Sequence, residues 1–256
     1  MNARGLKLYH AEPAANSLKA LISMKEKRLD FESVYVDLHK FEQHDPAFLA
    51  VNPEGQVPVL VHDGHVITHS TIIAEYLEDA FPGAPPLRPA NPFGKSRVRY
   101  WNKFVDEQVM EYVSMHGWHR MVTIIARSIE SGEFDQLMSR IPLPRMREKW
   151  MKARSGFGEA ELANATQKVA QAMDKVEAQL ALTPWLAGHD FSIADINFFS
   201  VCGMALGRLF PMLEVEKRAP RLTEWVARMH ERPGVKAAFA MPNRTNPALR
   251  TFTGEA

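Results

Sequence analysis

Apolar and polar residues alternate at period two over Leu6-Lys7-Leu8-Tyr9-His10, the spacing of a strand, and a Pro-containing turn follows at Glu12-Pro13-Ala14-Ala15. From Asn16 the period changes. Leu18, Leu21, Ile22 and Met24 fall at helical intervals, with Asn16 or Ser17 able to act as N-cap. Alternation resumes over Phe31 to Leu38, and a helix of adequate length between the two strands makes them parallel, a βαβ unit. After a polar loop from His39 to Asp45 and a short helix around Phe48-Leu49, strands at Val57 to Val61 and His65 to Thr68 are joined at Asp63-Gly64, a strong hairpin signal. Pro58 falls at the first position of its strand, where a missing backbone donor is tolerated. A helix from Ser70 to Phe81, with Ile72, Ile73, Tyr76 and Leu77 as its apolar face, closes a ββα unit.

Pro82, Pro85, Pro86, Pro89 and Pro92 then exclude a helix or a central strand between Phe81 and Phe93, which reads as a linker. Beyond it no period-two segment stands out. Helical spacing runs from Arg97 to Ile129 and from Ala160 to Leu182, and Ile193 to Leu209 is apolar nearly all round, as in a fully buried helix. Two short helices, Arg221 to Met229 and Val235 to Met241, end the pattern. Arg140 to Gly158 carries prolines, basic residues and aromatics without a clear period. The expected fold class is α+β: a four-stranded mixed sheet domain over residues 1–82, a linker over 83–92 and an all-helical domain over 93–256.

Composition narrows the function. The 256 residues are 46% hydrophobic and 24% charged with a net charge of +1, ordinary globular material lacking the basic stripe that nucleic acid requires. No apolar run approaches the 18 residues of a membrane span, and MNARGLKLYH lacks a signal peptide's apolar centre, so a cytoplasmic location is expected. The single cysteine, Cys202, excludes an intrachain disulfide framework and a CxxC motif, and its place in FFSVCGMALG reads as core. Nothing has metal-ligand spacing.

Three stretches carry a resemblance: Asn52-Pro53-Glu54-Gly55-Gln56-Val57-Pro58, Ser70-Thr71-Ile72-Ile73-Ala74-Glu75-Tyr76-Leu77, and Phe191-Ser192-Ile193-Ala194-Asp195. Together they resemble the glutathione S-transferase family over essentially the whole chain. The last is also an [ST]-x-x-[DE] capping box at the start of the buried helix, a structural role that leaves Asp195 out of the site. Ala15-Asn16-Ser17-Leu18-Lys19, Lys40-Phe41-Glu42-Gln43-His44 and Lys149 to Phe157 are similar to the bacterial β-etherases within that family, which use glutathione to cleave β-aryl ethers of lignin-derived aromatics.

The resemblance implies a thioredoxin-like first domain, glutathione as co-substrate and no metal. It also implies a dimer, formed with a second copy or with a related subunit, and a small aromatic ether as second substrate. Thiol activation requires lowering a pKa of about 8.5 by roughly two units, about 2.7 kcal/mol. A helix N-terminus and a side-chain donor at that turn supply this, with Ser17 and Asn16 as the candidates. Val57 and a cis Pro58 would meet the cysteinyl amide, and Ser70 the γ-glutamyl carboxylate. His44 and Gln56, with Gln43 or Lys40 in reserve, would meet the glycine carboxylate. His69 stands where the family usually has an acid for the γ-glutamyl ammonium. The aromatic substrate would lie against Tyr112, Ser114, Met115, His116, Trp118, His119 and Met121, with Trp150 and Phe157 closing the pocket. A Ser, Tyr or His there would stabilise a leaving aryloxide or polarise a ketone. Two other readings stay open: a different glutathione enzyme, detoxifying or isomerising, and a weakly active subunit of a heterodimer.

Overall fold

The computed structural model describes residues 5–12 and 14–241. Pro13 of the first turn, residues 1–4, and residues 242–256 of the expected helical domain lie outside them. Strands β1 (Leu6–His10) and β2 (Glu32–Tyr35) flank helix α1 (Ala15–Glu26), and a short helix α2 (Pro46–Leu49) precedes strands β3 (Val59–His62) and β4 (His65–Thr68) and helix α3 (Ser70–Ala80). The sheet order is β2-β1-β3-β4. β1 runs parallel to β2, with Leu8 opposite Ser33, and antiparallel to β3, with Leu8 opposite Leu60. The β3–β4 hairpin turns at Asp63 and Gly64, both at positive φ, and the Val57–Pro58 bond before β3 is cis.

This half follows the alternation closely, with four corrections. β3 begins at Val59, so Pro58 lies just before the strand it was expected to open. β2 stops at Tyr35, because Asp37 accepts from the amides of His39 and Lys40 and coils Leu38–Lys40 into a 3₁₀ turn. Neither Asn16 nor Ser17 caps α1: Ala14 is the N-cap, and no side chain bonds the free amides. The buried face of α3 is Ser70, Ile73, Ala74, Leu77 and Glu78, whereas Ile72 is 55% exposed, so the inward stripe is rotated away from it.

The second half is helical: α4 (Pro92–Gln108), α5 (Met110–Gly117), α6 (Thr123–Ser128), α7 (Ser131–Arg140), α8 (Pro144–Ser155), α9 (Glu159–Leu180), α10 (Ile193–Phe198), α11 (Leu206–Leu209), α12 (Val215–Arg218), α13 (Pro220–His230) and α14 (Pro233–Phe239). Arg97 to Ile129 is therefore not one helix. It breaks at Val109, whose φ is −120°, and passes through a π turn at Trp118–Val122. The buried positions Val105, Val109, Val113 and His116 keep helical spacing across the first break, so the apolar stripe could not reveal it. Ile193 to Leu209 is likewise divided, by a π turn at Phe199–Gly203, and it is buried only as far as Gly203 and again at Leu206, since Gly207 and Arg208 face solvent.

Arg140 to Gly158 is largely helix α8. Pro144 sits in its first turn, where proline starts a helix instead of breaking one. The stripe of Met146, Trp150 and Ala153 is short enough to be hidden among basic residues.

One core unites α1, α3, α4, α9, α10 and α13, and includes Cys202. A second, smaller core joins Phe41 of the sheet domain to Phe134, Met138, Ile141, Trp150 and Ala153. The capping box forms: Asp195 Oδ2 accepts from Ser192 N and Oγ, while Oδ1 accepts from Leu186 N and Trp225 Nε1. Burial raises this carboxyl to about 6 against those four bonds. The last of the described helices returns to the first domain, where Arg232 clasps Glu26 through Nε at 3.0 Å and Nη2 at 2.6 Å. α14 comes so near α1 that a Cβ on Gly234 would stand 2.5 Å from Glu26 Cγ. Among the described residues no single helix is long and apolar enough to cross a membrane.

Candidate active site

Helix α1 starts at Ala15 with no side-chain cap among the described residues, a helix N-terminus that favours negative charge. Ser17 is 4% exposed, and its hydroxyl accepts from Ala11 N at 3.0 Å, which leaves the hydroxyl proton free to donate. Asn16 is exposed and points across to α3: Ser70 Oγ donates to Asn16 Oδ1 at 3.2 Å. Two of the residues sought for the thiol end and the γ-glutamyl end are thus joined directly. His69, the residue before Ser70, is exposed and held at φ +65°, a conformation non-glycine residues rarely adopt and one that concentrates at functional sites.

The Val57–Pro58 turn is shaped by Asn52, whose side chain donates to Gln56 O at 2.8 Å and accepts from Glu54 N at 3.1 Å. Gly55 has φ +63°, and a Cβ there would lie 2.6 Å from His44 Nδ1, so glycine serves both the turn and the histidine beside it. His44 and Gln43 are buried rather than set in an exposed loop, and among the described residues His44 Nδ1 and Gln43 Oε1 have no hydrogen-bond partner. Buried polar atoms are seldom left unpaired. Burial and the nearby Arg140 bring His44 down to about 4, so it is neutral at pH 7. Gln56 Oε1 accepts from Arg145 of α8 at 3.3 Å, and Lys40 is exposed, 3.6 Å from Asp37.

Next to Ser70 in sequence, Thr71 joins a polar network whose members, apart from Thr71 and Lys19 as parts of the motifs that carry the resemblance, the sequence did not single out. Buried Lys19 meets Asp106 Oδ1 of α4 at 2.8 Å, Thr71 Oγ1 donates to Asp106 Oδ2 at 2.7 Å, and Asn197 Nδ2 reaches Asn102 Oδ1 at 3.3 Å. It ties the start of α3 to the helical half. The available signal was Lys19 itself, a charge set among Leu18, Ala20 and Leu21.

The aromatic cluster divides. Trp118 and Trp150 lie edge to face with centroids 5.4 Å apart, Phe41 is 4.8 Å from Trp150, and His119 approaches Phe157 at 6.2 Å. Met115 is half-buried beside them in sequence. Tyr112, by contrast, packs on the main core. His116 also turns inward: its Nε2 donates to Leu162 O of α9 at 3.1 Å, its ring meets Phe210 at 4.6 Å, and burial lowers its pKa. Tyr9 packs on Phe48 with centroids 5.8 Å apart.

A thioredoxin-like sheet with a cis-proline turn, followed by a helical half, defines the glutathione transferase class. The chain belongs to the glutathione S-transferase family: residues 4–79 match the model of its N-terminal domain and residues 159–228 that of its C-terminal domain. It is 40% identical over 243 residues to Protein LigF of Sphingobium sp. (strain NBRC 103272 / SYK-6), a match covering 93% of this chain and 95% of that protein. The crystal structure of beta-etherase LigF from strain SYK-6 superimposes with a TM-score of 0.89 over 93% of this chain and 100% of that one. Glutathione transferase F7 of Populus trichocarpa, 26% identical, gives 0.73 over 91% and 97%. Glutathione is the co-substrate of this family. The open helix start and the unpaired polar atoms of Gln43 and His44 fit a polar peptide carrying two carboxylates.

Proposed function

We propose that the chain is a β-etherase: with glutathione it cleaves the β-aryl ether bond of lignin-derived aromatic ketones. The sulfur attacks the carbon next to the ketone, the carbon–oxygen bond breaks towards oxygen, and the products are a phenol and a glutathione thioether. The observation that carries this is the likeness to beta-etherase LigF across nearly the whole chain. In this reading the Ser17 hydroxyl donates a hydrogen bond to the thiolate, Asn16 and Ser70 hold the γ-glutamyl end, and Val57 with Pro58 aligns the cysteinyl amide. Gln43, His44 and Gln56 receive the glycine carboxylate. Because the ketone activates the adjacent carbon, alignment and thiolate stabilisation are the protein's main tasks.

The test is incubation with glutathione and racemic β-aryloxy ketone, following phenol and thioether by chiral chromatography. Ser17→Ala is expected to lower kcat/KM about 100-fold, the scale for removing one donor to an anionic reacting atom. If Ser17→Ala and Asn16→Ala both leave turnover unchanged, the assigned roles fall. Turnover of simple electrophiles with no ether cleavage would favour a detoxifying transferase.

The proposal extends to a cytoplasmic protein with its two domains joined at residues 83–92, and to a dimer. Val66, Ile72, Phe93 and Tyr100, on β4, α3 and α4, are 48%, 55%, 76% and 43% exposed and suit burial against a second copy or a related subunit. Sedimentation of the purified chain separates the two partners: a dimer of this chain alone supports the first, and a monomer that dimerises only with a related subunit supports the second.

A further inference from the structure

Three lysines of this chain have their ammonium groups drawn out of water, and among the described residues only two are ion-paired with a carboxylate. Lys19 pairs with Asp106 at 2.8 Å and Lys27 with Glu78 at 2.6 Å. Lys149 of α8, half-buried, has no carboxylate within ion-pair distance among the described residues. Its Nζ donates to Ser114 Oγ of α5 at 2.7 Å and stands 4.6 Å from the centre of the Trp118 ring. An ammonium has three donors, so this arrangement holds the group in place and leaves donors for a ligand. Holding a cation out of water without a counter-charge is costly, and such groups concentrate where function needs them.

Its position gives that ligand a place. Arg145 lies one helical turn before Lys149, on the same face of α8, and reaches Gln56, the residue before the Val57–Pro58 turn. The face that carries Lys149 is therefore turned toward the glutathione platform, with Ser114 and Trp118 opposite. We propose that Lys149, steadied by Ser114, is the acid that protonates the departing aryloxide. This rests on the β-etherase reading. As the carbon–sulfur bond forms and the carbon–oxygen bond breaks, the electron pair goes to the ether oxygen, which takes a proton from Lys149 Nζ and leaves as phenol. The neutral amine regains its proton from water.

Burial brings the Lys149 ammonium down to about 8, with Glu111 of α5 pulling the other way and Arg145 reinforcing the fall. An aryloxide whose phenol has a pKa of about 10 accepts a proton from such a group downhill. Ser114 and Trp118 do not titrate in this range, so Glu111 and Arg145 are the charges that face it.

The experiment compares ethers whose leaving phenols differ in acidity, using enzyme whose fold and glutathione binding are checked by thermal melting and calorimetry. Lys149→Met keeps the stem over Trp118. It should lower kcat about 100-fold when a methoxyphenol leaves, on the scale of general acid catalysis. The loss should shrink below about 5-fold when a nitrophenol leaves, since that oxygen needs no proton. The fall in rate above about pH 8 should disappear from the variant's profile. Lys149→Arg keeps the charge but cannot release a proton, and should show the same leaving-group dependence. An equal loss for both leaving groups, or an unchanged alkaline limb, overturns the proposal alone. If the unsubstituted chain cleaves no ether, the parent reading falls and the proposal with it.

Discussion

The glutathione side and the aromatic side of this site are built in opposite ways. On the sheet domain, polar groups are held without partners among the described residues: α1 begins uncapped, and buried His44 Nδ1 and Gln43 Oε1 bond to none of them. Across from it, Trp118 meets Trp150 edge to face and Phe41 lies tilted against Trp150, in a small core of their own. One side is preorganised to be completed by a ligand, and the other is complete except for the ammonium of Lys149. Phe41, three residues before His44, belongs to both, so the second core also fixes the loop that would receive the glycine carboxylate.

The sharpest way to break this contrast is Trp150→Ala. If Trp150 is core, as its 7% exposure indicates, the variant should lose about 3–5 kcal/mol in urea denaturation. A change in KM for the aromatic substrate with stability intact would instead make it an open pocket wall. Next in size is a pH effect on the opposite side. His44 titrates at about 4 in the fold but near 6.5 when unfolded, so below 6.5 the unfolded chain takes a proton that the fold refuses. Its contribution is whole above pH 6.5 and is lost as pH falls toward 4, by up to about 3 kcal/mol. His10, His116 and His230 are also lowered by burial. The expected result is therefore that His44→Gln loses less stability than the parent chain between pH 7.5 and 5 in denaturant titrations. The smallest change sharpens the γ-glutamyl end: His69→Glu should tighten glutathione about tenfold in calorimetry, ~1.4 kcal/mol, by giving the ammonium a carboxylate. Unchanged affinity would mean that another group already serves it.

The sheet domain was legible because its signals are local. Asp63-Gly64 states its turn by chemistry, Leu6 to His10 state their faces by alternation, and Asn52 to Pro58 is a motif whose shape depends on its own side chains. The helical half hides its breaks, since Val105, Val109, Val113 and His116 keep their stripe through a change in backbone direction. Pro144, in a stretch read as having no clear period, opens a helix. Within the site, residue types and neighbourhoods were readable but partners were not. That Ser17 answers Ala11, that Asn16 answers Ser70, and that Lys149 lacks an acid while Lys19 has one are facts of the folded arrangement. His116 shows the limit well, because one helical turn separates Tyr112 on the main core from a histidine that faces α9, and the sequence marks neither direction.

The clasp of Arg232 on Glu26 also sets an order of events. A chain emerging from the ribosome offers the sheet domain first, yet the carboxylate of Glu26, 8% exposed, has no guanidinium until residue 232 has been made. The helix that displays Asn16 and Ser17 is thus seated by one of the last helices to be synthesised. Nascent chains ending before α14 would carry the whole thiol-binding turn and still lack the brace behind it.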